Sequence, residues 1–428
     1  MNENPEKQFE QLSTFVTEVM EKTKVPGVAL GVLYDDETYT ASFGVSNVDH
    51  SLDVTSDTLF QIGSITKTFT ATAIMRLVEQ GALNLDATVQ TYVPDFKVAN
   101  EDASSKSTLW HLLTHTSGWV GDFFADTGAG DDAIAKYVAK MADLEQLAPV
   151  GSLFSYNNAG FSLAGYIIEA VTGKRYEAAL RELVLEPLGL ENVYFDPGDV
   201  ITHRFAVGHK VADEGTKVLR PWPLPRSAYA AGGIACPVGD LLRYARFHMG
   251  DGASEDDAPL LTAESLAMMQ TRQVTIRKDH EVGLSWFIDH IDGVKQISHG
   301  GGTMGQVSLL AIIPERNFAL AIFANADEGG EVTDKVRRRA LKTYLGLEVE
   351  TPKPMDDVSE EDLRPYVGRY ARPFAEVELG ILAGRLIGQV IPKKGFPHED
   401  SPPDPPPPPS VLTLCEEDRL IVTDGPSK

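Results

Sequence analysis

The spacing of apolar and polar positions divides the chain into strand-rich ends and a helical middle. Residues 5–24 carry apolar side chains at helical period and stop at Pro26-Gly27. Residues 28–45 read as two short strands around the polar turn Asp35-Asp36-Glu37, which predicts a hairpin. Over residues 64–80 Ile65, Phe69, Ala73 and Leu77 recur at helical spacing, and Gly81 supplies the stop. From residue 83 to about 250 the pattern is mostly helical with loops, including a helix that follows Asn158 and ends at Gly173 and another that leads to Leu185. Strand signals return at 282–288, 296–298, 308–313 and 318–324, parted by turn residues such as Pro314-Glu315-Arg316-Asn317, and a helix over 330–345 follows. Strands at both ends with helices between them predict an α+β fold: one mixed antiparallel sheet flanked by helices, with an inserted helical subdomain.

Beyond this, residues 351–362 combine proline and acids with little apolar content, the composition of a linker. Short β-type segments follow at 366–370, 377–379, 386–391, 411–414 and 420–422, with a proline run over 401–410 that predicts solvated polyproline II. The expected organisation is a catalytic domain over 1–350, a linker over 351–362 and a small β-rich segment over 363–428.

Charge and cysteine content narrow the function classes. With 38 basic and 62 acidic side chains the net charge is −24, which repels nucleic acid and anionic membranes. A solubilising acidic surface is the simpler reading of that excess. Two distant cysteines, Cys236 and Cys415, make neither a disulfide framework nor a metal set. Residues 1–11 are polar and acidic, without the basic and apolar regions of a signal peptide, and no apolar run approaches the ~20 residues that span a bilayer. The expectation is a cytoplasmic protein with no membrane segment, no metal and no cofactor; a secreted chain with its signal removed reads the same.

Three short motifs carry candidate chemistry. The first, Gly63-Ser64-Ile65-Thr66-Lys67, holds Ser-x-x-Lys where the predicted helix opens. Serine needs a base within hydrogen-bond reach, and a helical spacing of three puts Lys67 on its face with Cβ atoms ~5–6 Å apart. A helix start also offers unpaired N–H groups and the positive dipole end to developing negative charge. On its own, Ser-x-x-Lys is as readily a helix start with an exposed lysine. The second motif is Tyr156-Asn157-Asn158; positions i and i+2 of an extended segment face one way, so Tyr156 and Asn158 can share a site. A tyrosine beside a lysine ammonium ionises more easily and can relay a proton. Read singly, Tyr156 is a half-buried core residue and Asn158 a helix cap. The third is His299-Gly300-Gly301-Gly302, where glycines admit substrate to the backbone and a strand N–H could join that of Ser64 in an oxyanion hole. A glycine turn with an incidental histidine is the alternative.

In this order and at these separations, Ser64-x-x-Lys67, Tyr156-x-Asn158 and His299-x-Gly301 resemble the three motifs of class C β-lactamases and penicillin-recognising enzymes. The stretch from Thr108 to Gly118, Glu186-Pro187-Leu188-Gly189-Leu190 and Ala231-Gly232-Gly233 before Asp240 resemble that family as well. The resemblance covers roughly residues 10–345 and implies a β-lactamase/transpeptidase-like fold. It also implies an acyl-enzyme mechanism on a small-molecule ester or amide. Ser64 would be the nucleophile, Lys67 and Tyr156 the proton-handling pair, Gly302 the second oxyanion donor, and Asn158 a holder of the substrate amide or of the lysine. Which of Lys67 and Tyr156 is the resting base stays open. The tail resembles the small lipocalin-like barrel of some relatives, although about 65 residues are short for eight strands.

The third motif departs from the β-lactamase pattern, with His299 where those enzymes carry lysine. Histidine is mostly neutral near pH 7 and grips a penicillin carboxylate poorly. The expected activity is therefore a carboxylesterase on short acyl esters with weak or no β-lactamase activity. The alternatives are a D-amino-acid peptidase or β-lactamase, and a non-catalytic penicillin-binding-like sensor. The His299 glycine run also resembles the oxyanion motif of α/β-hydrolase lipases, but no Gly-x-Ser-x-Gly elbow accompanies it. His111 and His115 are four apart without His-Glu-x-x-His, so metal binding there is not expected. Trp110, Trp119, Phe123 and Phe124 are candidates for a hydrophobic acyl pocket, or for core packing.

Overall fold

The computed structural model describes residues 4–251, 259–373, 375–393, 402–403 and 405–425. The chain divides into two compact units, Met1–Gly121 with Asp126–Val349, and Asp122–Ala125 with Glu350–Lys428. Among the described residues no helix is long and apolar enough to cross a membrane.

The first unit is built on an eight-stranded antiparallel sheet. Its strands are β1 (Gly27–Tyr34), β2 (Glu37–Gly44), β3 (Val274–Arg277), β4 (His280–Val282), β5 (Phe287–Ile291), β6 (Val294–Thr303), β7 (Gln306–Ile313) and β8 (Phe318–Ala324). They lie in the order β2-β1-β8-β7-β6-β5-β4-β3, so the two ends of the unit's sequence meet where β1 pairs with β8, Leu30 opposite Ile322. Every residue of β8 is buried, the mark of a central strand covered on both faces. On one face Leu12, Val16 and Val19 of helix α1 (Pro5–Thr23) pack with Val28, Leu30, Val32, Leu320 and Ile322. Val332 and Val336 of a later helix, Gly329–Ala340, join the same core. Each such side chain contributes about 1.5–3 kcal/mol on full burial.

The helical region between β2 and β3 supplies helix α2 (Thr66–Glu79), buried almost all round, and α3 (Asn158–Thr172). A helix with no solvent face must satisfy its polar groups internally. Thr70 Oγ1 donates to the Ala230 carbonyl at 2.7 Å and lies 2.8 Å from the Tyr176 hydroxyl; Thr72 Oγ1 is 2.9 Å from that of Tyr244. Those bonds fix α2 against Tyr176 and against the segment that follows residue 226.

The architecture is the α+β one expected, with differences in local detail. The helix expected from Ser64 begins at Thr66, because Gly63–Ile65 form a tighter 3-10 turn first. The strand expected over 282–288 is two strands. Between them the Gly283 N–H bonds to the Trp286 carbonyl at 2.8 Å and Ser285 takes φ 72°, closing a tight turn that reverses the chain, so that Val282 pairs with Phe287 across a hairpin. Conversely, the glycines after His299 do not make a turn. Gly300, Gly301 and Gly302 continue β6 opposite Leu309, Ser308 and Val307, since the ladder to β7 supplies the order that glycine lacks.

In the second unit five strands form an antiparallel meander: β9 (Gly368–Ala371), β10 (Ala375–Leu382), β11 (Arg385–Pro392), β12 (Ser410–Glu416) and β13 (Arg419–Asp424). Leu363, Leu386 and Leu414 make its small core. Among the described residues this is an open sheet, not the closed barrel that the tail resembles. Of the proline run, residues 402–403 and 405–409 carry no regular structure, and residues 401 and 404 lie outside the described residues.

Candidate active site

The site begins at the turn before α2. Gly63 takes φ 49°, and a side chain there would lie 2.6 Å from the Gly302 nitrogen, so both its backbone angle and its neighbour call for glycine. Ser64 follows, half-buried, just before the first turn of α2 and thus still at its positive end. One turn on, Lys67 reaches back as helical side chains do, and its Nζ donates to Ser64 Oγ at 2.9 Å and to the Ala231 carbonyl at 2.7 Å. Lys67 is fully buried, and burying an amine costs several kcal/mol unless it is hydrogen-bonded. Two ring faces add to its bonds, with Tyr156 at 5.0 Å and Phe161 at 5.7 Å from Nζ.

Tyr156 comes from the extended segment before α3. The cap of that helix is Asn157, not Asn158: its Oδ1 accepts the Gly160 N–H at 2.7 Å and its Nδ2 donates to the Trp119 carbonyl at 3.0 Å. Asn158 is the first helical residue, half-buried, and its N–H donates to the Gly121 carbonyl at 3.1 Å. Beneath Tyr156 lies His115, fully buried, with ring centroids 4.4 Å apart and planes at 27°. His115 Nδ1 accepts the Asn157 N–H at 2.9 Å, and burial, aided by the Lys67 charge, holds its pKa well below the usual histidine value. His111 does different work: it completes the capping box of its own short helix with Thr108. Among the described residues no cluster of histidine, cysteine and acids has the makings of a metal site.

Strand β6 closes the site. Ser308 Oγ donates to the Ile62 carbonyl at 2.8 Å, and the Gln61 N–H donates to Gln306 Oε1 at 3.0 Å, which fastens the sheet to the Ser64 turn. Gly301 is pressed into this junction; a Cβ there would stand 1.9 Å from the Ile62 oxygen. At Gly302 a Cβ would meet nothing within 4 Å. His299, two residues before Gly301 and on its face of the strand, is 2% exposed, with its ring 6.3 Å from that of Tyr156. Its Nδ1 must carry the proton, because it is 2.6 Å from the Gly300 carbonyl, which can only accept. Burial, then the Lys67 charge, pushes its pKa down to about 3, so it is a neutral imidazole near pH 7.

Ser64, Lys67, Tyr156, His299, Gly301 and Gly302, spread over more than 230 positions of sequence, thus converge, with Asn158 two residues beyond Tyr156. Two participants were given no part in the site by the sequence: the Ala231 carbonyl, which lay within a family-like segment, and His115, weighed there only as half of a histidine pair without a metal motif. The aromatic candidates sort differently. Trp119 is fully buried against Phe96, Trp110 Nε1 donates to Gln273 Oε1 at 3.1 Å, and Phe123 and Phe124 group with the second unit.

Comparison with known proteins places this geometry. The Beta-lactamase family profile matches residues 12–344. Penicillin-binding protein 4 of Amycolatopsis lactamdurans is 34% identical over 81% of this chain and 93% of its own length. Unguisins hydrolase ungD of Aspergillus violaceofuscus is 26% identical over 73% of this chain, which spans 60% of that protein. Among solved structures, the octameric penicillin-binding protein homologue from Pyrococcus abyssi aligns with TM-score 0.71 at 28% identity, covering 97% of this chain and 95% of that one. The structure of SurE with D-Leu aligns with TM-score 0.74 at 26% identity, over 98% of this chain and 92% of that one. With a family match spanning most of the first unit and a relative of 34% identity covering four-fifths of this chain, the chain belongs to the β-lactamase family of serine hydrolases.

Proposed function

We propose that this enzyme is a carboxylesterase that hydrolyses short acyl esters through an acyl-enzyme on Ser64, with weak or no β-lactamase activity. The observation that carries the reading is the Lys67 Nζ to Ser64 Oγ contact of 2.9 Å beside the Tyr156 ring. Ser64 Oγ attacks the ester carbonyl carbon while its proton enters the Lys67–Tyr156 pair. The oxyanion is received by the N–H groups of Ser64 and Gly302, and the relay proton passes to the departing alkoxide as the acyl C–O bond breaks. Water then repeats the sequence in reverse roles, releasing the acid. Asn158 holds the substrate or the lysine, while His299 and Gly301 shape the wall beside them.

The neutral state of His299 favours esters over penicillins, because a neutral imidazole cannot replace the lysine cation that holds a penicillin carboxylate. In the same reading the catalytic domain spans 1–350, the linker 351–362 and the β-rich domain 363–428, supported by the unit boundary after Val349. A second reading, cleavage of D-amino-acid amides, draws on the likeness to SurE with D-Leu.

The deciding experiment is nitrophenyl butyrate hydrolysis by wild type and Ser64→Ala side by side. The variant should fall to background, and wild-type kcat/KM should exceed that on benzylpenicillin. Equal rates for the two proteins would remove Ser64 as nucleophile, and a preference for benzylpenicillin would remove the esterase reading. Faster amine release from D-aminoacyl amides than alcohol release from esters would favour the second one.

A further inference from the structure

From Tyr156 a row of rings continues across the sheet, away from Ser64. Phe287 on β5 lies 6.3 Å from Tyr156 with planes at 15°, and His280 on β4 lies 5.5 Å from Phe287 with planes at 5°. Phe154 meets Phe287 edge-on at 6.1 Å, and His299 leans on it at 5.3 Å. Phe154, Tyr156, His280 and Phe287 are all half-buried, so none of the four residues is closed off in the core. At the far end His280 Nδ1 donates to the Asp289 carboxylate at 2.7 Å, so that acid is already engaged.

We propose that this wall, with Phe287 at its centre, is the leaving-group subsite and selects esters of aryl-bearing or bulky apolar alcohols. The inference rests on the esterase reading above. There Tyr156 belongs to the relay that returns the proton to the departing alkoxide, so the alcohol portion must lie against Tyr156, and the rings extend from that point. The wall presents ring faces and edges with its acid engaged, which suits an uncharged aromatic group and gives neither a carboxylate nor an ammonium a counter-charge. The neutral His299 beside it points the same way.

The test compares benzyl butyrate with methyl butyrate, which share an acyl group and release alcohols of similar basicity. Both pass through the same butyryl-enzyme, so a leaving-group subsite acts on kcat/KM and not on the deacylation rate. Wild type should prefer the benzyl ester by about tenfold or more in kcat/KM, the scale of one well-packed aromatic group. Phe287→Ala should lose several-fold more on the benzyl than on the methyl ester, and Phe287→Leu should retain part of the preference. If Phe287→Ala is poorly folded, Phe287→Leu alone must narrow the ratio. Wild type that cleaves both esters without preferring benzyl, or variants that lower both equally, would overturn this subsite while leaving the esterase reading intact. Wild type no better than Ser64→Ala on either ester would overturn both.

Discussion

The ring of His115 lies 4.4 Å from the ring of Tyr156, and its Nδ1 takes the N–H of the next residue, Asn157, at 2.9 Å. One buried imidazole therefore sets both the plane of the proposed relay tyrosine and the path of its backbone. Because Nδ1 accepts, the imidazole must remain neutral to do this, and burial beside Lys67 keeps it so.

Two substitutions separate the ring from the acceptor. His115→Phe keeps a ring beneath Tyr156 but strands the buried Asn157 N–H, a loss of about 1–3 kcal/mol. His115→Ala removes both and should lower kcat further than His115→Phe does. Tyr156→Phe retains the stack and removes only the hydroxyl. It should keep the wild-type Tm while kcat on nitrophenyl butyrate falls by about 10²–10⁴. Thermal melts and steady-state kinetics on the three variants check this, and a Tyr156→Phe enzyme of near wild-type rate would exclude the hydroxyl from the relay.

Adjacent glycines of β6 should respond in opposite ways. Gly301→Ala drives a methyl group to within 1.9 Å of the Ile62 oxygen and 2.5 Å of Ser308 Oγ, prising the strand from the Ser64 turn. It should cost about 1–3 kcal/mol of stability, as overpacking does, and most of the activity. Gly302→Ala meets open space and should leave Tm nearly unchanged. Denaturation curves that rank the two variants alike would contradict this packing.

Arg226 is the buried anchor of the segment that holds Lys67. Its side chain is 2% exposed and bonds Glu177 and Glu169 at 2.8 Å each and the Gly130 carbonyl at 3.1 Å. Four and five residues on, the Ala230 and Ala231 carbonyls receive Thr70 and Lys67. Arg226→Met removes the cation the two acids share, leaving Glu169 only the Tyr176 N–H and Glu177 only Arg175 at 3.5 Å, and should cost about 3 kcal/mol. Arg226→Lys should recover only part, since an ammonium cannot span both carboxylates as a guanidinium does. Chemical denaturation of the two variants would show the order.

Stability should fall with acid in a defined window. Burial holds His248, like His299, near a pKa of about 3, while an unfolded histidine titrates near 6.5. The folded values are depressed, so the unfolded state binds more protons between those limits. The stability these residues contribute is complete above about pH 6.5 and is lost as pH falls toward about 3, each histidine weakening the folding equilibrium up to about tenfold per pH unit. His248 packs among Tyr244, Phe247 and Trp286, and the Gln270 side chain bonds its backbone carbonyl at 2.6 Å, a bond that a substitution leaves in place. Urea midpoints of His248→Phe at pH 7, 6 and 5 should therefore decline less steeply than those of wild type; parallel declines would show that His248 is not one of the groups titrating.

Much of this protein was legible in its sequence, because local spacing dictates local geometry. The period of Ile65, Phe69, Ala73 and Leu77 predicts α2, and three residues of helix are enough to bring Lys67 over Ser64. Short apolar runs parted by turn residues likewise announced β1, β7 and β8. Only the tertiary structure decided matters that depend on residues distant in sequence. Ser64 sits in a 3-10 turn because Ser308 and Gly302, some 240 positions away, clamp Ile62 and Gly63. The glycines after His299 are strand because β7 pairs with them. His299 is neutral because Phe287, Tyr156 and their neighbours exclude water from it, and desolvation is a property of the assembled interior that no spacing of residues along a chain encodes.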